Sequence, residues 1–156
     1  IRNMSLNAAA FMLFLYSLLN GIFLSVIFLV FQITSIYKIF LVTCLMFLGM
    51  SVYGATTKTD LRSAGRYLTM ALIGLIITGL LNFLFKSSTL DWIISVISVG
   101  VFVGLTAYDT QKLLKIGVSD NGSDSYKKIA ILGALNLYID FVNIFLNLLR
   151  LTGKKK

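Results

Sequence analysis

The chain has 156 residues, of which 58% are hydrophobic and only 13% charged, whereas a water-soluble domain carries roughly 25% charged residues. It has no histidine, glutamate or proline and a single cysteine, Cys44. Zinc sites, Cys-His or Ser-His-Asp catalysis and internal disulfides are thereby excluded. The net charge of +8 does not signal nucleic acid, because Lys and Arg sit in short segments between apolar runs and in the last residues, as membrane proteins place them. The expectation is an all-α, polytopic transmembrane helix bundle forming one domain over residues 1–156, with the lipid bilayer as its main partner.

Five spans are predicted, at about 7–31, 39–53, 67–85, 90–115 and 127–150, each long and apolar enough to cross a bilayer or nearly so. In the first, Ser17, Gly21 and Ser25 recur every four residues, a spacing that lets helix backbones approach closely. Gln32–Lys38 reads as a short connection to the second span, and Gly54–Arg66 as a solvated turn. In the third, Gly74, Thr78 and Asn82 form a weakly polar stripe expected to pack on another helix. In the fourth, Trp92 stands at interfacial depth, and Gly100 and Gly104 form a GxxxG pair. Ile116–Ser125 is the most loop-like stretch, and Thr152–Lys156 is a basic tail. Cys44, inside an apolar run, reads as a small packing residue.

Arg2, Lys58, Arg62, Arg66, Lys112, Lys115, Lys127 and Lys128 fall on one side of these spans, which the positive-inside rule places in the cytosol. Lys38, Lys86, Arg150 and the three tail lysines fall on the other.

The fifth span holds the chain's most costly residue. Asp140 lies near its middle, where a carboxylate costs about 2.5–3.5 kcal/mol on insertion scales, so such a residue faces a bundle interior or a wet cavity. Asn136, Asn143 and Asn147 share its face, within roughly 60° at about 100° per residue. The other helices are expected to surround this stripe, with the last helix central. All six acids are aspartates: Asp60, Asp91, Asp109, Asp120, Asp124 and Asp140. Of these, Asp109 stands near the end of the fourth span, on the helix next to that of Asp140. If the two carboxyls meet in a low-dielectric interior they cannot both ionise comfortably, and they would share a proton over part of the physiological range. The plainer reading of Asp109 is an interfacial residue paired with Lys112, three positions on.

Ala107–Leu113 (AYDTQKL) and Leu135–Arg150 (LNLYIDFVNIFLNLLR), together with Met50–Leu61 and Tyr16–Ser25, resemble the Bax inhibitor-1 family, also called the transmembrane Bax inhibitor motif family, in its bacterial branch. The resemblance covers essentially the whole chain. It implies a bundle of seven helices with the last one central, of which this sequence carries the last five, the first two being absent from it. It implies a bacterial inner-membrane, pH-sensitive calcium leak channel gated by protonation of an aspartate pair, which by motif match is Asp109 and Asp140. A basic partner of the pair falls near Arg2, or Asn3 fills that position. Some bacterial relatives are associated with a membrane-anchored ATP-dependent protease, and animal members suppress cell death.

The leading expectation is therefore a proton-gated calcium leak, with calcium and protons passing and no cofactor. Asp109, Asp140, Asn136 and Asn143 supply oxygen ligands of the type a hard cation takes, but too few for a 6–8-coordinate cage, which suits passage over storage. The alternative is a regulatory protein that modulates the membrane-anchored protease through its loops or tail. No enzymatic activity is expected. An intramembrane aspartyl protease also needs two aspartates, but Leu137, Tyr138 and Ile139 stand where its second motif has glycines, and its third motif needs a proline.

Overall fold

In lipid, backbone N–H and C=O groups find partners only within helices or closed barrels. The computed structural model, which describes residues 4–119 and 121–156, takes the first solution. Its helices are α1 (Leu6–Leu24), α2 (Ile27–Val30), α3 (Ile33–Thr56), α4 (Arg62–Phe85), α5 (Ser88–Val118) and α6 (Asp124–Thr152). With α1 and α2 counted as one, Leu6–Val30, five helices are long and apolar enough to cross a membrane. Arg2 and Asn3, the candidate basic partners, and Asp120 lie outside the described residues.

The observed helices depart from the expected spans at instructive places. The first span matches the expected 7–31 as one crossing, Leu6–Val30, with a turn at Ser25 and Val26 between α1 and α2. At Ser25 the backbone N–H is shared between the carbonyls of Gly21 and Ile22, and the Ser25 hydroxyl donates to the Ile22 carbonyl. A serine that bonds its own helix in this way tightens and ends the turn. The second span starts at Ile33, not 39. Its polar first residues are helical because Ile36 and Ile39 bury against Phe145 and Leu149 of α6, while Ser35 and Gln32 find partners in the tail. The third begins at Arg62 rather than Tyr67, so the loop expected over Gly54–Arg66 shrinks to a few residues. The fourth and fifth each extend a few residues past the predicted ends, which narrows the Ile116–Ser125 loop.

The small-residue patterns correspond only in part to close helix contacts. A Cβ at Gly21, Gly74 or Gly100 would meet nothing within 4 Å, so among the described residues these glycines receive no helix. Gly104 does, against Leu68 of α4, at 2.9 Å from a hypothetical Cβ. Asn82 serves as a cap: its Oδ1 accepts from Ser87 N–H (3.1 Å) and its carbonyl from Lys86 N–H (2.6 Å). Lys86 there adopts a left-handed conformation (φ 53°) that ends α4.

α5 and α6 form the central antiparallel pair. α3 lies against both, α4 covers α5, and α1 touches α6. Two apolar clusters hold the assembly. One joins Ile36 and Ile39 to Phe145 and Leu149; the other joins Val101, Phe102 and Leu105 of α5 to Ile144 of α6 and to Leu68, Leu72 and Leu75 of α4. Phe141 sits edge-on to Phe40 and Phe47 of α3. The outward faces carry bare apolar side chains, such as Phe83 and Leu29, which suits lipid and not water.

Candidate functional site

Helix geometry determines whether Asp109 and Asp140 can meet. Leu113 of α5 faces Gly133 of α6, where a Cβ would come within 2.5 Å of a Leu113 methyl. Asp109 and Asn136 line one small cavity. Cα of Asp109 is thus level with Asn136, and Asp140 lies one turn deeper, about 5.4 Å. The helices run in opposite directions, and side chains on a helix lean toward its N-terminus. Asp109 therefore leans inward and Asp140 outward, which closes the gap. The two carboxyls thus face each other across the α5–α6 seam, near enough to interact.

Asp140 is 3% exposed. Its Oδ2 is buried and has no hydrogen-bond partner among the described residues. Two carboxylates are both acceptors, so no bond can form between them unless one holds a proton. Asp109 is half-buried and borders a cavity of about 40 Å³ that also touches Lys112, Gly133 and Asn136, large enough for about one water. Asp109 forms no ion pair with Lys112, whose ammonium instead stands 6.0 Å from the centre of the Tyr108 ring; the ion pairs among the described residues are made by Asp60 and Asp91.

The asparagine stripe is only partly drawn in. Asn136 reaches the cavity. Asn143 donates to the Ile139 carbonyl (2.8 Å) and Asn147 to the Asn143 carbonyl (2.7 Å), so their amide protons are bound to their own helix. Asn147 lies about two turns from Asp140 and does not join the pair. Among the described residues no three acidic, histidine or cysteine side chains cluster as a metal site would require.

Sequence reading passed over Gln111, two residues beyond Asp109. Its Oε1 accepts from Leu61 N–H (2.9 Å) and its Nε2 donates to the Thr59 carbonyl (2.8 Å). One buried amide thus clamps two backbone groups of the α3–α4 loop to α5. Gln111 stands in a polar run, Asp109–Lys112, that gives no sign of its burial, and its partner is a loop backbone that no pattern announces. Asp60 in the same loop binds Arg62 (2.9 Å) and Lys115 of α5 (3.3 Å). The Arg62 hydrogen bonds, with a smaller part from Lys115, hold the Asp60 carboxyl well below the usual carboxylate range. What this contact adds to stability is present above that ordinary range and is lost as pH falls toward the lowered value. Exposure keeps it small.

The clamp is testable. Gln111→Leu keeps the volume but strands the buried Leu61 N–H, at a cost of about 1–3 kcal/mol. At roughly 2–4 °C per kcal/mol for a chain of this size, the melting temperature in detergent should drop measurably, and an unchanged melting curve would contradict the clamp.

The family described as Inhibitor of apoptosis-promoting Bax1 matches residues 1–156. The chain is 48% identical over 158 residues to a protein of Escherichia coli strain K12 named inner membrane protein YbhL, covering 100% of this chain and 68% of that one. It is 43% identical over 157 residues to an uncharacterised protein of Borreliella burgdorferi, at the same 100% and 68% coverage. An uncharacterised membrane protein of Streptococcus pyogenes serotype M6 is 38% identical over 149 residues, with 94% of this chain and 64% of that protein covered.

Proposed function

Since the chain belongs to the Bax inhibitor-1 family of membrane proteins, we propose that it is a pH-sensitive calcium leak channel of a bacterial inner membrane, gated by a proton shared between Asp109 and Asp140. The observation that carries this reading is the burial of Asp140 on the α6 face that packs against α5, with one carboxyl oxygen unpartnered among the described residues and Asp109 on the facing helix. With a proton between them, the carboxyls bond and hold the two helices together. When that proton leaves, two like charges face each other in a poorly solvated interior, which favours separation. The charged and titratable neighbours at the α5–α6 seam are Lys112 and Tyr108 on α5 and Tyr138 on α6. Tyr138 is engaged elsewhere, its hydroxyl accepting from Asn20 of α1 (3.1 Å).

Calcium enters the reading as the transported species. Once apart, the two carboxylates and Asn136 offer hard oxygen ligands, too few to trap a cation that takes 6–8 of them. Passage requires binding weak enough to release. The test is calcium entry into liposomes carrying the purified chain, with the external pH varied. pH-dependent entry supports the reading, and entry no faster than into empty liposomes would overturn it.

The structure bears on the alternative, modulation of a membrane-anchored ATP-dependent protease. The Lys154–Lys156 segment has its backbone paired with Val30–Ser35, so a partner would meet a fixed lysine array and not a free arm.

A further inference from the structure

Lys154–Lys156 folds back along the start of α3. Gln32 N–H donates to the Lys154 carbonyl (2.9 Å) and Lys156 N–H to the Val30 carbonyl (2.9 Å). Lys154 N–H donates to the Ser35 hydroxyl (2.8 Å). With the backbone so occupied, the three lysine side chains are displayed outward at fixed positions, all exposed.

This end of the bundle also carries Lys38, Lys86 and Arg150. Its single side-chain carboxylate among the described residues is Asp91, which stands 3.7 Å from Arg150. None of the five lysines here makes an ion pair among the described residues, so six side-chain cations at one bundle end face one side-chain carboxylate already engaged. Such an excess seeks an anion.

A cavity of about 300 Å³ opens between α3 and the lysine segment, lined by Gln32, Thr34, Ser35, Lys38, Thr152 and Lys154. Its position fixes the kind of anion. Ile33 begins one membrane-spanning helix and Thr152 ends another, so the cavity lies at the depth of lipid headgroups. Below it on α3, Leu41, Leu45 and Leu48 continue the face of Thr34 and Lys38 at helical spacing. All three are exposed, a bare apolar track beneath a basic pocket.

We propose that this cavity binds the phosphate headgroup of an anionic phospholipid, with Lys38 and Lys154 pairing with the phosphate and an acyl chain lying along Leu41, Leu45 and Leu48. The site is independent of the aspartate pair. It gives the basic segment, which the channel reading leaves unused, a ligand of defined chemistry.

The experiment measures phosphatidylglycerol binding to the full chain in neutral detergent by native mass spectrometry and by the rise in melting temperature, with phosphatidylcholine as the neutral reference. Phosphatidylglycerol should bind more tightly than phosphatidylcholine. The double variant Lys38→Gln/Lys154→Gln should lose about fivefold in affinity per lysine removed. Lys38→Arg/Lys154→Arg, and Lys127→Gln/Lys128→Gln at the opposite end, should bind as the native chain does. Undiminished binding by the first variant, or an equal loss in the last, would overturn the assignment. A melting-temperature rise reproduced by inorganic phosphate alone would also overturn it, since the ligand would then be a free anion and not a lipid.

Discussion

Calcium flux through Asp140→Asn in liposomes is expected to lose its response to pH across the physiological range. Asparagine matches aspartate in shape, and its amide can donate to the Asp109 carboxylate. It thereby supplies permanently the hydrogen that a shared proton supplies only part of the time. In the native chain a single shared proton shifts the balance of joined and separated forms by up to about tenfold per pH unit. In the variant nothing at the α5–α6 contact remains to titrate in that way. Asp124→Asn serves as the reference, since Asp124 is exposed in the first turn of α6 and should leave the pH profile as it was. A variant at Asp140 that keeps the native profile would remove the pair from the mechanism.

The second large effect is expected at Gly54, near the end of α3. This residue is buried, and a Cβ there would fall on the carbonyl group of Ala107, itself only 2% exposed. The obstacle is backbone, which cannot swing aside as a side-chain tip can. Gly54→Val must therefore push α3 away from α5, and overpacking of this kind costs about 1–3 kcal/mol or more. The displaced segment, Ala107 to Asp109, is the one that aims the Asp109 carboxyl. Two readouts should thus move together: a lower melting temperature in detergent and a flattened pH response of calcium flux. Gly49→Val, on the same helix but with nothing within 4 Å of its Cβ, should change neither. Equal tolerance of the two substitutions would mean that α3 and α5 are not held as closely as the structure has them.

The two acids could be singled out from the chain because charge inside an apolar run is expensive. Asp140 lies too far from either helix end to reach water, so burial against another helix was the inexpensive outcome. How near the acids come was less legible. Spans at 90–115 and 127–150 alone put them about two turns apart at about 1.5 Å per residue; the facing pair Leu113 and Gly133 reduces this to about one, and the lean of each side chain narrows it further. Other features depended on partners far along the chain. The polar run from Gln32 to Lys38 looked like a loop because the lysine segment that satisfies Gln32 and Ser35 lies more than a hundred residues away. The break at Ser25 rests on one hydroxyl choosing its own helix, an option open equally to Thr43, Thr69 and Thr106, whose helices run on. Small residues were a poor guide to close approach, because Gly54 and Gly65 receive α5 while the regularly spaced Gly21 and Gly100 receive nothing among the described residues.

These contacts also divide the bundle mechanically. Gln111, Gly54 and Gly65 tie α3, α4 and α5 together at the end nearest Asp109, while Phe145, Leu149 and the lysine segment tie α6 and the tail to α3 at the opposite end. Asp109 and Asp140 lie between these two anchored ends, on the α5–α6 seam.

The most direct measurement is the distance between the Asp109 and Asp140 carboxyl oxygens in structures of the protein solved on the acidic and alkaline sides of neutrality. The account predicts hydrogen-bond contact in acid and a widened gap, with α6 shifted from α5, in alkali. The same separation at both values would contradict it.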